Sequence, residues 1–375
     1  MRTHYDVIVI GAGVIGCSIA YHLSKRGKSV IILEKGSTAG KASSAAAGML
    51  GAQTELEEDS PLFRLGKQSR TMFPDLAADL KSLTGIDIEY EKNGIYKVAR
   101  TEEQVVRFQS LINAQNQLGE ETHWVAAEQL QKGEPALSTD VLGAMYIPND
   151  GQVSATKLTK ALAQAAVTLG AEIREFTEVH RFVKEGVEIK GVETNSGLNR
   201  AEHVVVAGGA WSETLLKEAG VNLETYPVKG ECFSVKTRKR LINGTIFSDD
   251  CYIVPKAGGR LIIGATERPG LFDETVTLDG ISRLMEAAKK VVPGVGEAEW
   301  EKAWAGIRPQ TKDALPYLGE HPELKHLFVA TGHYRNGILL APVTGEVIAD
   351  LIDGIAIKKD WNSAFQMNRI PVQVQ

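Results

Sequence analysis

Residues 5–34 impose the strongest constraint on how this chain folds. YDVIVI (5–10) is a short β-branched run suited to a strand buried on both faces. It breaks at Gly11-Ala12-Gly13-Val14-Ile15-Gly16. Apolar residues then recur at helical spacing from Val14 to Arg26, with Gly27 placed to end the helix. SVIILE (29–34) supplies a second parallel strand that finishes on an acid. In such a strand-GxGxxG-helix-strand unit each part has a physical task. Gly11 permits the tight turn, Gly13 lets backbone N–H groups approach a pyrophosphate, Gly16 lets helix and strand pack closely, and the helix N-terminus favours the anion. Glu34, 23 residues beyond Gly11, can accept both ribose hydroxyls of an adenosine. The unit predicts dinucleotide binding. An acid at that position argues against a 2′-phosphate and so against NADP, and leaves NAD and FAD open.

At 375 residues the chain exceeds the size at which one core stops growing, which predicts two domains or one domain with a large insertion. With 42 basic and 47 acidic residues it carries a net charge of -5, and no basic cluster is long enough to follow a phosphate backbone. Nucleic acid is therefore not an expected partner. Nor is a membrane, since no span approaches the roughly 18 consecutive apolar residues a crossing helix needs. Arg2 followed by apolar residues imitates a signal peptide, but glycines interrupt the run. Three cysteines, Cys17, Cys232 and Cys251, form no CxxC pair and are odd in number, which predicts a cytoplasmic, reducing setting. The eight histidines show no ligand spacing, so no metal centre is expected.

GKASSAAAGML (40–50) follows the ribose-binding strand, where an NAD domain would begin its second helix. Its tiny residues read either as a flexible linker or as backbone running close against a flat ring system, and the second reading favours a flavin. Beyond it the pattern predicts a helix over 60–83, a hairpin in EYEKNGIYKVA (89–99) centred on Asn93-Gly94, and a polar helix over 101–118. A further helix within 153–173 ends at Gly170 and feeds a strand. Strands and turns occupy 176–197, and AEHVVVAGGAWS (201–212) repeats the theme of a buried strand closed by glycines. Val179 is either a backbone contact for an adenine or a core valine. From Val228 long antiparallel strands take over, with a hairpin turn at Lys256-Ala257-Gly258-Gly259.

Two arginines stand in apolar, glycine-flanked frames: Arg308 in WAGIRPQTKDALPYLG and Arg335 in GHYRNGILLAP. Isolated arginines mostly lie on the surface with the charge in water. A pair in such frames suits planar, bidentate recognition of a carboxylate. Tyr252, read from its strand alone, would carry its hydroxyl at the surface.

The array VIGAGVIGCSIAYHL, Glu34-Lys35, SSAAAGML, VKGE, CYIVP, GATERPG, WAGIRPQTKDALPYLG and GHYRNGILLAP resembles the FAD-dependent D-amino acid oxidase and sarcosine oxidase superfamily along essentially the whole chain. Within it the array is most similar to the bacterial glycine oxidase family associated with thiamine thiazole synthesis. The resemblance implies an α/β protein: a Rossmann-like FAD-binding domain, discontinuous in sequence (1–85, 150–220 and 305–375), and an α+β substrate domain with a mainly antiparallel sheet (86–149 and 221–304). It implies FAD contacts from Gly11, Gly13, Val14, Ile15, Gly16, Glu34, Lys35, Ala42, Ser43, Ala47, Gly48, Met49 and Val179, and from the stretch His333, Tyr334, Arg335, Asn336, Gly337, Ile338 and Leu339. A helix beginning near Asn336 would turn its positive end toward the flavin pyrimidine.

By the same resemblance Arg308 and Tyr252 would hold the substrate carboxylate, Arg335 would sit beside the flavin, and Met49, Gly51 and Ala52 would narrow the substrate side. No side chain acts as acid or base: hydride leaves a neutral amine for flavin N5, and oxygen is the second substrate. The implied partners are a small amino acid and O2, and the implied assembly is a homo-oligomer, a tetramer. The chain also departs from the family. Relatives can carry histidine two residues before the tyrosine and methionine after GAT, whereas this chain has Asp250 and Glu267. An acid at the pocket mouth would disfavour substrates with anionic side chains. With no cysteine beyond Cys251, the FAD is expected to be non-covalent.

Overall fold

The computed structural model describes residues 4–369. The elements that build its N-terminal part are β1 (His4–Ile10), α1 (Val14–Lys25), β2 (Val30–Leu33), α2 (Ala42–Ala45), β3 (Met49–Leu50), α3 (Ala52–Glu55) and α4 (Pro61–Thr84). β1 lies inside an eight-stranded sheet, paired in parallel with β2 on one side and with Gly197–Val206 on the other. The sheet continues through Glu172–Arg174 beyond β2, and through Leu327–Thr331 and the antiparallel Tyr317–Glu320 on the far side. Strand order thus reverses across β1. Such a reversal leaves a crevice at the carboxyl ends of the strands, the usual place for a dinucleotide.

The unbroken apolar run of β1 has a direct cause. Val7 and Val9 pack into a core shared with α1, while Tyr5, Ile8 and Ile10 pack into a second core with Phe182, Ile189 and Leu216. With both faces covered, alternation with polar residues would bury unpaired groups. At the turn, Gly11 has φ +106°, and a Cβ on Gly16 would lie 1.9 Å from the Gly11 carbonyl oxygen. Both glycines are therefore required by conformation and by close approach.

A second, nine-stranded and mostly antiparallel sheet is organised on Thr225–Lys236, which pairs with Glu299–Thr311 along its length and with Arg260–Gly264. Its hairpin of Tyr252–Lys256 and Arg260–Gly264 turns at 257–259 as the sequence predicts. Ile95–Ala99 and Gly143–Ile147 join the same sheet from earlier in the chain. The expected boundary at 304/305 falls inside the strand Glu299–Thr311, and the expected terminal stretches 1–3 and 370–375 lie outside the described residues.

The hairpin expected at Asn93-Gly94 is corrected. Gly94 has φ +74°, but Glu91 bridges to Gln152, and Ile95–Ala99 pairs with Gly143–Ile147 and Thr245–Phe247. The dipeptide supplies the bend, and both arms find partners far away in sequence. The helices 60–83 and 101–118 are realised as Pro61–Thr84, capped by Ser60, and Glu102–Gln117, closed by a capping box at Thr101 and Gln104. Among the described residues no helix is long and apolar enough to cross a membrane.

Candidate functional site

A cavity of about 430 Å³ runs from the carboxyl end of β1 to the second sheet. At one end lie Gly11, Gly13, Val14 and Ile15 with Glu34, whose two carboxylate oxygens accept from the backbone N–H groups of Ala12 and Gly36, each at 2.8 Å. Each oxygen keeps a lone pair for a ribose hydroxyl, since a carboxylate has about four acceptor positions. Gly13 is the N-cap of α1 and offers no side chain, while the Ser43 hydroxyl accepts from Val14 N–H at 2.9 Å. The crevice therefore combines a glycine turn, a helix N-terminus and an acid, and it fits an adenine dinucleotide.

The alanine run does more than line the cavity. The Trp304 indole donates to the Ala45 carbonyl at 2.9 Å, and a Cβ on Gly306 would lie 2.6 Å from the Ala45 Cβ. The segment is small because the strand Glu299–Thr311 crosses it closely on one side while Ala42, Ser43, Ala47 and Gly48 line the cavity on the other. It is ordered, with α2 inside it, and is not a linker.

Arg308 lines the opposite end from that strand. The contact its guanidinium makes is a donation from Nη1 to the Thr266 carbonyl at 3.3 Å, which leaves most of its donor fork directed at the cavity. Gly230, on the neighbouring strand, makes room for it: a Cβ there would lie 2.3 Å from Arg308 Nη2. Gly230→Ala should push the guanidinium aside and lower kcat/KM about tenfold to a hundredfold with little change in thermal stability, because the displaced group is the end of a flexible side chain. Steady-state kinetics beside a melting curve checks this, and unchanged kinetics would show that the guanidinium does not need its present place.

Tyr252 corrects the reading from its strand alone. It is buried, its hydroxyl lies 3.4 Å from Cys232 Sγ, and it lines the cavity. Burial pushes that hydroxyl well above its ordinary value, so it keeps its proton. His333 is also buried, with Nε2 3.1 Å from the Thr344 hydroxyl, and burial lowers it to about 3, leaving a neutral imidazole.

Arg335 is placed differently from a free carboxylate receptor. Its Nε donates to Glu55 Oε2 at 2.6 Å, and its Nη1 pairs with Glu267. The Glu55 carboxylate, foremost, holds the guanidinium above its ordinary value. Glu55 is in turn fixed by α3, whose first N–H groups donate to the fully buried Asp150: Thr54 N at 2.9 Å and Gln53 N at 3.2 Å. Asp150 also accepts from the Thr54 hydroxyl at 2.8 Å and from Arg70 Nη1 at 2.6 Å.

The remaining sequence-derived positions divide clearly. Lys35, Met49, Gly51, Val179, Tyr334, Asn336, Gly337 and Ile338 line the cavity. Gly16 serves the helix–strand packing. Ala52 and Leu339 belong to the core, with the Leu339 carbonyl accepting from Ser69 Oγ at 2.6 Å. Glu267 is exposed and reaches the site through Arg335, and Asp250 is exposed on the hairpin side without lining the cavity. Sequence reasoning missed Glu55, Gly230, Cys232 and Trp211, all of which line the cavity. Gly230 was within reach through the VKGE segment. No sequence signal marks the others, since their roles come from partners distant in the chain. Among the described residues no group of three or more His, Cys, Asp or Glu is placed to hold a metal ion.

Known proteins resemble this chain along most of its length. A family model described as "DAO: FAD dependent oxidoreductase" matches residues 6–351. The chain is 48% identical over 355 residues to the glycine oxidase of Geobacillus kaustophilus, covering 94% of each protein. It is 35% identical to the bifunctional protein ThiO/ThiG of Trichormus variabilis, covering 92% of this chain and 52% of that one. The crystal structure of the Geobacillus kaustophilus glycine oxidase superposes with a TM-score of 0.95 at 46% identity, over 98% of this chain and all of the other.

Proposed function

Since the chain belongs to the DAO family of FAD-dependent oxidoreductases, we propose that it oxidises glycine, and with it sarcosine and small D-amino acids, using O2. In this reading glycine, O2 and water give glyoxylate, ammonia and hydrogen peroxide, and sarcosine releases methylamine in place of ammonia. The observation that carries it is the free donor fork of Arg308 beside the protonated Tyr252 hydroxyl, at the end of a cavity whose other end suits an adenosine.

FAD, when bound, supplies the two-electron acceptor for the hydride and passes the electrons on to O2. The protein's own contribution is positioning. Arg308 takes the substrate carboxylate in a bidentate pair, Tyr252 donates its hydroxyl to the same group, and Met49 and Gly51 line the same cavity. Tyr252 keeps its proton and Glu55 is tied to Arg335, so in this reading neither of them acts as a base. The amine therefore enters neutral, and orientation with exclusion of water carries the step. The helix Gly337–Ile352 begins at the cavity, and its N-terminal end adds positive potential there.

Supply of the glycine-derived imine for thiamine thiazole synthesis is the physiological role this reading favours, on the likeness to the ThiO/ThiG protein. Anaerobic mixing of the holoprotein with glycine should bleach the flavin band near roughly 450 nm, and air should restore it with one peroxide per flavin. An unbleached band would sink the proposal. Bleaching without peroxide on aeration would favour a dehydrogenase with another electron acceptor.

A further inference from the structure

The two arginines of the cavity are served by one short segment. The Thr266 carbonyl accepts from Arg308, and the next residue, Glu267, pairs with Arg335. Arg335 is thus held between two carboxylates of unlike character. Glu55 has a side chain only 10% exposed and is fixed through α3 by Asp150, whereas the Glu267 side chain is 42% exposed and lies at the rim. The residue before Arg335, Tyr334, has its backbone at φ +47°. A non-glycine residue in the left-handed region is held there only when its surroundings fix it, so this turn presents Arg335 at a set position.

The formal charges divide the cavity. Around Arg335 one guanidinium faces two carboxylates, 1 − 2 = -1. Arg308 has no carboxylate partner among the described residues and carries +1. A substrate carboxylate is drawn to Arg308. A substituent on its amine that extends toward Arg335 meets an arginine whose Nε and Nη1 are already taken, beside a net negative charge.

We propose that Glu267 sets the substrate range of this site by occupying the face of Arg335 that would otherwise receive a second anionic group, so that amines bearing a distal carboxylate are excluded. The inference rests on the reading of the cavity as an amino-acid-oxidising site, and it assigns Arg335 the place of a masked second anion receptor. N-methyl and unsubstituted glycine place no charge at the rim and are indifferent to the mask. N-(carboxymethyl)glycine must displace Glu267 from Arg335 or lie beside it as a like charge, and it is rejected in either case. Because Glu267 is an exposed ion-pair partner, its removal leaves the fold intact.

Two non-reactive ethers, diglycolate and methoxyacetate, mimic N-(carboxymethyl)glycine and sarcosine and differ in the distal carboxylate. Their Kd values for the FAD-loaded enzyme can be read from the perturbation of the flavin spectrum. Glu267→Ala should improve the ratio of diglycolate to methoxyacetate affinity at least fivefold, with methoxyacetate itself changing less than twofold. Glu267→Gln, which keeps the side-chain volume, should move the ratio in the same direction. In turnover, kcat/KM for N-(carboxymethyl)glycine relative to sarcosine should rise in parallel. A ratio that shifts less than fivefold in Glu267→Ala, or not at all in Glu267→Gln, would overturn the assignment. The binding arm needs no oxidation, so an enzyme that bound these ethers but failed to oxidise glycine or sarcosine would refute the proposed function and leave the role of Glu267 decided on its own.

Discussion

Arg308→Ala should lower kcat/KM for glycine by about a thousandfold, ~4 kcal/mol of lost transition-state binding, almost all of it as a rise in KM. Among the described residues the partner of this guanidinium is a carbonyl and not a carboxylate, the 3.3 Å contact with Thr266. A substrate carboxylate docked there exchanges water for a bidentate charge-assisted pair. Without Arg308 the Tyr252 hydroxyl remains as a single neutral donor. FAD should stay bound, because the groups that fit its adenosine half, Glu34 and the Gly11 turn, stand on the other sheet at the far end. Steady-state kinetics together with the visible spectrum of the purified variant tests both halves. A colourless variant would mean that Arg308 supports the cofactor. An unchanged KM would move the anchor to Arg335, against the two carboxylates that already engage it.

Arg70→Ala should destabilise the fold by about 3–5 kcal/mol, the usual cost of breaking a buried ion pair from one side. Arg70 and Asp150 meet at 2.6 Å with side chains 9% and 0% exposed, and the surviving Asp150 would be a carboxylate without its counter-charge. The pH dependence follows from the causes acting on Asp150. Burial raises its pKa and the Arg70 charge opposes the rise, so in the variant the rise stands less opposed. A carboxyl whose folded value lies above its unfolded one contributes stability that is present below the unfolded pKa, about 3.9, and lost as pH rises through the folded value. The variant's deficit should therefore be smallest near pH 4 and grow toward neutrality. Urea denaturation of both proteins across that range measures it. A deficit below about 1 kcal/mol, or one that does not vary with pH, would show that the pair is not the anchor of α3. Through α3 the same substitution should also loosen Glu55 and with it Arg335.

The parts legible in the sequence share a short range. β1, its glycine turn, α1 and β2 follow from local periodicity and from backbone needs such as the φ of Gly11. The hairpin at 257–259 and the capping box at Thr101 are likewise written within a few residues. Asn93-Gly94 carries an equally clear local signal and misleads, because the strand after it prefers partners about 50 and 150 residues away to its own upstream neighbour. The reading of Tyr252 as a surface hydroxyl fails for a similar reason: alternation along a strand says which residues share a face and not what covers that face.

The two arginines mark the division most clearly. Their apolar, glycine-rich frames mark Arg308 and Arg335 as candidates to receive an anion, and the same frames cannot rank them. The ranking is made by Glu55, 280 residues from Arg335, by Glu267, 68 residues from it, and by the space that Gly230 leaves for Arg308. The sequence by itself determined the dinucleotide unit, with its strand, glycine turn and helix, since these depend on backbone conformation and on local hydrophobic pattern. Only the tertiary structure decided which arginine is free and which is masked, because an ion pair depends on which charges the fold brings within a few ångströms, and chain separation carries no record of that distance.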